Sequence, residues 1–242
     1  MTSLRRISYS LAFLIMILLV ASTHSQAQHR QPENLPKYDL APYHFGFTLG
    51  FNNMFMVIHP VKDFAYLDTI YTVTCKPGSG FNIGIVSNLR LSEYLDLRFI
   101  PTLSFGDRTL IFTQKYNDTI FEDVPKKIES AYLNFPFELK IKSKRLYNSL
   151  AYVLIGCNFT ADMASQSKKK QQNEEILIKL KKNDAALEIG VGFDFYTTYF
   201  KFGTELKMMY GVRDMLSHEP TVYANSINYL NSKIFQLTFT FE

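Results

Sequence analysis

The stretch Phe45-Gly-Phe-Thr-Leu-Gly-Phe51 places an apolar side chain at every second position. The same alternation returns at Leu95, Leu97 and Phe99, and again from Phe235 to Phe241. Successive side chains of a β-strand point to opposite faces, so each stretch has one apolar and one polar face. The pattern predicts an all-β protein built of amphipathic strands.

The first 27 residues have the three-part layout of a secretory signal peptide. Arg5 and Arg6 give a positive start, Leu11–Val20 is an unbroken apolar run, and small residues lead up to Ala27. We expect cleavage between Ala27 and Gln28. The apolar run is shorter than the roughly 20 residues that span a bilayer, so an uncleaved anchor is the less favoured alternative.

The composition suits a transmembrane barrel and argues against other classes of protein. Aromatic residues make up 15% of the 242 residues, and the mean hydropathy of -0.06 is compatible with strands that are only half apolar. The net charge of +4 gives no reason to expect nucleic acid as a partner. Two cysteines exclude a disulfide framework, and we expect Cys75 and Cys157 to be free thiols.

Eight strand candidates follow the signal peptide, and a polar, proline-containing stretch precedes them. The sequence predicts a signal peptide (1–27), an extended periplasmic leader (28–43) and one antiparallel up-and-down transmembrane barrel of about eight strands (44–242). The predicted strands are His44–Met54, Ser79–Leu91, Tyr94–Phe105, Ser130–Lys142, Asn148–Thr160, Asp184–Phe195, Tyr199–Tyr210 and Lys233–Glu242.

The connections between these strands alternate between long and short. Short periplasmic turns and longer outer loops are typical of outer-membrane barrels, so we expect both termini in the periplasm and the protein in the outer membrane. The long outer connections are predicted at Phe55–Gly78, Gly106–Glu129, Ala161–Asn183 and Gly211–Ser232.

The polar faces of the strands carry charges that could pair across a narrow lumen. About eight strands leave an interior just wide enough for side chains, so we expect a lumen filled by a polar network. A water-soluble barrel with an apolar interior is the alternative, because alternation alone does not say which face is inside. The predicted network comprises Arg90, Arg98, Glu138, Lys140, Glu188, Asp194, Lys201 and Glu205.

Two prolines fall inside predicted strands, Pro101 in the third and Pro136 in the fourth. Proline removes a donor from the hydrogen-bond ladder, and a closed barrel has no free edge. We therefore expect a bulge or a strand end at each proline, near the outer rim for Pro101.

The sequence contains no motif for catalysis, a cofactor or a metal ion. The five histidines lack metal-ligand spacing, and nucleophile-elbow, P-loop and dinucleotide motifs are absent. We therefore expect neither an enzyme nor a small-molecule substrate. Lys168, Lys169 and Lys170 in a long loop could bind lipopolysaccharide phosphates, although a plain solvated loop is the simpler interpretation.

Several segments resemble the PorT proteins of Bacteroidota, and the resemblance covers nearly the whole mature chain. The Leu-Pro and Phe-Pro-x-Glu-Leu-Lys segments are its most discriminating part. The segments are Asn34-Leu-Pro-Lys-Tyr-Asp39, His44-Phe-Gly-Phe-Thr-Leu-Gly-Phe-Asn52, Tyr132-Leu-Asn-Phe-Pro-Phe-Glu-Leu-Lys140, Ser143-Lys-Arg145 and the hairpin into Tyr152–Gly156.

Resemblance to PorT implies an outer-membrane part of the type IX secretion machinery, which exports proteins that carry a C-terminal sorting domain. It also implies that Pro136 is tolerated within its strand. A barrel with a filled lumen is too narrow for folded cargo, so we expect an accessory role with other type IX secretion proteins and outer-membrane lipid as partners. The alternatives are a generic OmpA/OmpX-like barrel, acting as membrane staple or surface-binding module, and a lipid-modifying barrel enzyme.

Overall fold

The structure, a computed structural model, describes residues 32–61, 70–116, 120–164, 180–217, 224 and 226–242. Within these ranges the chain forms nine antiparallel strands, preceded by one 3-10 turn at Tyr38–Leu40. The strands are β1 (Tyr43–Pro60), β2 (Ile70–Arg90), β3 (Leu95–Phe99), β4 (Thr102–Tyr116), β5 (Ile120–Lys142), β6 (Ser149–Asp162), β7 (Asn183–Tyr196), β8 (Lys201–Gly211) and β9 (Ile227–Phe241).

The strands close into a barrel of eight staves. Neighbouring strands pair in chain order, and β1 pairs with both β2 and β9, which closes the ring. β3 and β4 are two halves of one stave, because both pair with β2 on one side and with β5 on the other and the register continues across the break between them. Further along, the pairing of β2 with β4 shifts register between Pro77 and Phe81 and between Ile70 and Thr72. The predicted all-β antiparallel barrel is confirmed.

Alternation along each stave separates an apolar outside from a polar inside. In β7, Leu187, Ile189 and Val191 are exposed on the outer wall, whereas Glu188 and Asp194 are buried in the lumen. Phe45 of β1 is likewise 70% exposed. A soluble barrel would place its apolar faces inside, so the observed polarity is that of a bilayer-spanning barrel.

The two ends of the barrel differ. The end with the connections 91–94, 143–148 and 197–200, here called the short-turn end, also holds the start of β1 and Glu242. At the opposite end, here called the long-hairpin end, apolar side chains fill the lumen. They are Met56, Ile70, Leu110, Phe112, Leu180, Met215, Leu216, Ile227 and Leu230.

The strands at the long-hairpin end extend much further than the sequence predicts. Most of the predicted loops Phe55–Gly78 and Gly106–Glu129 are strand, because β1 reaches Pro60, β2 begins at Ile70, and β4 pairs with β5 as far as Tyr116↔Ile120. The alternation is obscured there, since apolar side chains such as Leu110 and Phe112 now point inward. The bounds predicted for these two long outer connections are therefore wrong, and the two connections are much shorter.

The prolines are accommodated without the bulges that the sequence predicts. Pro136 lies inside β5 with the register intact on both sides, opposite Ile100. Pro101 separates β3 from β4, yet its carbonyl accepts a hydrogen bond from Ile85 N at 3.1 Å, and it lies nearer the short-turn end than the outer rim. The expectation of a strand break is correct only for Pro101, and its expected position near the outer rim is wrong.

A side-chain hydroxyl replaces the donor that Pro136 lacks. Ile100 N donates to Pro136 O at 3.4 Å, so a non-proline residue at 136 would donate back to the Ile100 carbonyl. Instead the hydroxyl of Thr102 donates to Ile100 O at 2.7 Å. The buried carbonyl is thereby satisfied, as buried backbone groups generally are.

We expect Thr102→Val to lower the free energy of unfolding by about 1–3 kcal/mol, because it leaves this buried carbonyl without a donor. Adding Pro136→Ala supplies a backbone N–H at the right register and should recover most of the loss. Urea titration of the protein folded into phospholipid vesicles measures both values. Thr113→Val, which removes an exposed hydroxyl bonded to Asp123, is the matched control and should change little. Equal losses with and without Pro136→Ala would contradict this account.

Candidate functional site

Charged side chains fill the middle of the lumen, and Arg98 is their centre. Its guanidinium lies 2.5 Å from Glu205 Oε1, 3.4 Å from Glu242 Oε1 and 3.8 Å from Glu138 Oε2. Arg98, Glu138 and Glu205 are at most 1% exposed. Ion pairs that are removed from water in this way are stable only when each charge keeps its partners.

Three lysines complete the network around this centre. Lys207 Nζ lies 2.8 Å from Glu138 and 3.1 Å from Glu188. Lys140 pairs with Asp194 at 2.6 Å, and Lys201 pairs with the C-terminal residue, Glu242, at 2.7 Å. Because these residues come from β5, β7, β8 and the end of the chain, the network joins staves that are distant around the ring.

Tyr152 of β6 occupies the lumen beside these charges. Its hydroxyl donates to Glu205 Oε1 at 2.8 Å, and Lys140 Nζ lies 3.7 Å from the centre of its ring. Glycines make room for it: a Cβ at Gly192 would lie 2.4 Å from the ring, and a Cβ at Gly203 would lie 3.3 Å from the hydroxyl. Any residue larger than glycine at position 192 or 203 would therefore crowd the Tyr152 side chain.

The lumen leaves little room for solvent. Two internal cavities, one beside Glu188 and Lys207 and one beneath Tyr38 and Lys201, measure about 10 Å³ each. A cavity of that size holds about one water molecule. The described part of the barrel is therefore filled with side chains rather than shaped as a channel.

The structure brings together seven of the eight residues predicted for the interior network. Arg90 is the exception: it is partly exposed at the short-turn end, and its Nε donates to Ser92 O at 3.4 Å. Lys207, Glu242 and Tyr152 were not among the predicted site residues. Glu242 continues the inward-facing series Gln236, Thr238 and Thr240, so its position was readable from the alternation.

The N-terminal segment Asn34–Ala41, here called the cap, folds over the short-turn end of the barrel. Leu35 and Tyr38 pack against Leu150, Tyr152, Leu154 and Tyr196 in the mouth. This part of the predicted leader 28–43 is therefore a compact 3-10 turn seated on the barrel rather than an extended chain. Side-chain packing into the mouth, which alternation does not report, is the physical reason.

Arg145 lies in the turn between β5 and β6 and binds the backbone of the cap. Its guanidinium donates to the carbonyls of Asn34 and Leu35 and to Asp39 Oδ2, the last at 3.3 Å. The guanidinium also lies 3.7 Å from the centre of the Tyr196 ring. Asn148 Oδ1 accepts a hydrogen bond from Asn34 N at 2.9 Å.

The Tyr38-Asp39 pair provides the side-chain contacts of the cap. The Tyr38 ring stacks on His44 with centroids 4.1 Å apart, and Lys201 Nζ lies 4.9 Å from the ring centre. Asp39 Oδ1 accepts from the Tyr196 hydroxyl at 2.7 Å. Burial raises the pKa of the Tyr38 hydroxyl above its ordinary value, so it stays protonated and points a donor at Glu242, 3.5 Å away.

The segments that resemble PorT converge on this cap and on the network below it. Asn34–Asp39 forms the cap, His44 and Arg145 contact it, and Glu138 and Lys140 belong to the lumen network. Residues from these segments therefore lie at the cap or in the network beneath it, whereas Asn52 and Tyr132 of the same segments lie further toward the long-hairpin end.

The remaining sequence predictions concern the cleavage site, the loop lysines, the cysteines and metal binding. Ala27, Gln28, Lys168, Lys169 and Lys170 lie outside the described residues. Cys75 and Cys157 are free thiols, as predicted. In the part of the chain that the structure describes, no three His, Cys, Asp or Glu side chains cluster to hold a metal ion, and no helix is long and apolar enough to cross a membrane.

Comparison with known proteins identifies the class of barrel. Residues 25–217 match the family described as outer membrane protein beta-barrel domain. No curated protein matches the sequence. Among solved structures, OprG, an outer membrane protein from Pseudomonas aeruginosa, is 12% identical with a TM-score of 0.46, over 83% of this chain and 95% of OprG. Ail, the attachment invasion locus protein of Yersinia pestis, is 9% identical with a TM-score of 0.38, over 83% of this chain and 99% of Ail in its complex with the heparin analogue sucrose octasulfate.

We expect Arg98→Met to lower the free energy of unfolding by about 3–5 kcal/mol, because it leaves three carboxylates without their shared cation. The measurement is urea unfolding in phospholipid vesicles. Lys127→Met, which breaks an exposed pair with Asp107, removes the same charge type at the surface and should have little effect. Similar losses for the two variants would show that Arg98 is not the centre of the network.

We expect Arg145→Gln to release the cap, so that the backbone after the already exposed Lys37 can unfold from its 3-10 turn and enter the active site of trypsin. The lost hydrogen bonds involve a charged donor, which is worth about 1.5–3 kcal/mol, so cleavage after Lys37 should accelerate about 10- to 100-fold. Mass spectrometry of the folded protein during limited digestion measures the rate. Lys144→Gln, at the exposed neighbouring position, is the control and should leave the cleavage rate unchanged. An unchanged rate for Arg145→Gln would show that other contacts hold the cap.

Proposed function

The chain belongs to the outer membrane protein beta-barrel domain family, and on that premise we propose that it is an accessory component of the type IX protein secretion machinery, similar to PorT. In this role it assembles or stabilises the translocon and does not form the export pore. The observation that carries the proposal is the convergence of the PorT-like segments on the cap and on the network beneath it.

The filled lumen supports an accessory rather than a conducting role. Arg98 and its carboxylates occupy the middle of the barrel, apolar side chains occupy its long-hairpin end, and the cap covers its short-turn end. Passing even an unfolded chain would require the removal of many paired charges from their partners, which is costly. The protein therefore acts through its surfaces.

We further propose that the partners are outer-membrane lipid and other type IX secretion proteins. The apolar outer wall suits contact with lipid tails. Lys168, Lys169 and Lys170 would contact lipopolysaccharide phosphates from their long loop. Nucleic acid and small-molecule substrates are not expected partners.

A non-enzymatic role is part of the proposal. The two described histidines have packing partners: His44 stacks on Tyr38, and His59 stacks on Tyr229 with centroids 3.9 Å apart. A lipid-modifying enzyme would instead need a histidine poised to activate a nucleophile.

A generic surface-binding barrel is the second candidate, and one feature of the outer wall favours it. A cleft of about 460 Å³ lies between β2, β4 and β5, and the stacked rings of Phe81 and Phe105 form part of its lining beside Asp107, Lys127 and Glu129. This function predicts a ligand for the cleft and normal protein secretion without the gene.

Deletion of the gene tests the two functions against each other. If the protein is part of the type IX machinery, proteins with a C-terminal sorting domain should accumulate in the periplasm of the deletion strain. Immunoblots of periplasmic and surface fractions measure this, and the intact gene restored in trans is the control. Normal surface delivery in the deletion strain would reject the secretion role and favour the generic barrel.

A further inference from the structure

We propose that the mouth beneath the cap is a peptide-binding cleft that recognises a Tyr-Asp sequence in a short turn of a periplasmic partner protein, and that the chain's own Tyr38-Asp39 occupies this cleft. The proposal rests on the proposed function, because it names the surface through which an accessory barrel would contact its partners. Short turns of outer-membrane barrels face the periplasm, so this cleft faces the periplasmic space.

The cleft is built by the barrel and not by the cap. His44 comes from the start of β1, Arg145 and Asn148 from the turn between β5 and β6, Tyr196 from the end of β7, and Lys201 from the start of β8. Each position lies at the start or end of a barrel strand or in the short hydrogen-bonded turn between β5 and β6. The binding groups are therefore in place whether or not the cap is seated.

The cleft has separate places for a ring and for a carboxylate. An aromatic ring fits between His44, Tyr196 and the Lys201 ammonium, with ring centroids 4.1 Å from His44 and 6.3 Å from Tyr196. A carboxylate on the next residue meets the Tyr196 hydroxyl and the Arg145 guanidinium. Aromatic rings that contact a cation, and carboxylates that pair with arginine, are among the contacts that contribute most to binding energy at protein interfaces.

The backbone of the occupant is held without regard to its side chains. Arg145 donates to two successive carbonyls, at Asn34 and Leu35, and Asn148 accepts from the amide of Asn34. Such contacts are available to any segment that forms the same turn and places a tyrosine and an aspartate three and four residues after the second bound carbonyl. Backbone contacts supply affinity, and the Tyr-Asp pair supplies specificity.

The cap is an imperfect occupant of its own cleft. Leu35 has a φ of 48°, in the left-handed region, and it precedes Pro36. A non-glycine residue in that region costs about 1–2 kcal/mol, and a residue before proline normally prefers extended backbone. A partner segment with glycine at this position would form the same turn without the strain and would compete with the cap. The observed affinity for it would fall as the fraction of closed caps rises.

The test measures binding of a fluorescein-labelled peptide with the sequence of residues 34–40 to the mature protein, folded in detergent micelles, by fluorescence anisotropy. Wild-type protein should bind weakly, because its cleft is filled. Tyr38→Ala/Asp39→Asn, which weakens the chain's own cap, should bind the peptide at least tenfold more tightly. Adding Arg145→Gln should abolish that gain, whereas adding Lys144→Gln should preserve it.

A second peptide, in which the tyrosine is alanine and the aspartate is asparagine, should not bind any variant. Equal binding of both peptides, or equal binding by wild type and Tyr38→Ala/Asp39→Asn, would overturn the proposal. The single variant Asp39→Asn should show a smaller gain and serves if the double variant does not fold, which the mobility of unheated protein in detergent gels reports.

Two further outcomes separate this inference from its alternatives. Dimers of wild-type protein that dissociate when the peptide is added, detected by analytical ultracentrifugation, would assign the cleft to a second copy of this chain and overturn the partner assignment. Because the binding assay contains no secretion proteins, a cleft that binds the Tyr-Asp peptide while secretion is normal in the deletion strain would reject the type IX role alone. Failed peptide binding with a secretion defect would reject the cleft alone.

Discussion

Charge matching inside a narrow barrel is the constraint on which the rest of this structure depends. Eight staves enclose a space that only side chains fill, and the inward faces carry fully buried charges such as Arg98 and Glu138. A buried charge without a partner costs several kcal/mol, so each inward charge fixes the register of its stave against others across the lumen. Burial of the apolar outer wall in lipid stabilises the barrel in a bilayer. The charge network determines the register in which the eight staves pair.

Glu242 connects this network to the cap. One of its carboxylate oxygens pairs with Arg98, and the other pairs with Lys201. The Tyr38 hydroxyl points at Glu242, and the Tyr38 ring lies over Lys201. The occupancy of the mouth is therefore linked through two residues to the ion pairs in the middle of the barrel. A partner that binds at the mouth would therefore lie directly on the ion pairs of Glu242.

Much of the barrel was predictable because period-two alternation reports directly on which face of a strand is inside. Strand positions, the outer wall and seven of the network residues follow from it. The same rule misjudged the long-hairpin end, where Leu110 and Phe112 turn inward to an apolar cluster and the alternation changes its meaning. It also misjudged Pro136, since the hydroxyl of Thr102 that compensates for the missing donor is a contact between neighbouring staves.

The sequence by itself determined an exported all-β chain with one apolar and one polar face per strand, because those properties are local and repeat every two residues. Only the tertiary structure decided that Tyr38, Arg145 and the Tyr196–Lys201 hairpin, which come from three distant parts of the chain, meet around the mouth. It also decided which carboxylate neutralises which cation, since this depends on distances across the closed ring. Pairing across a lumen is a property of ring closure and stagger, and neither leaves a local pattern in the sequence.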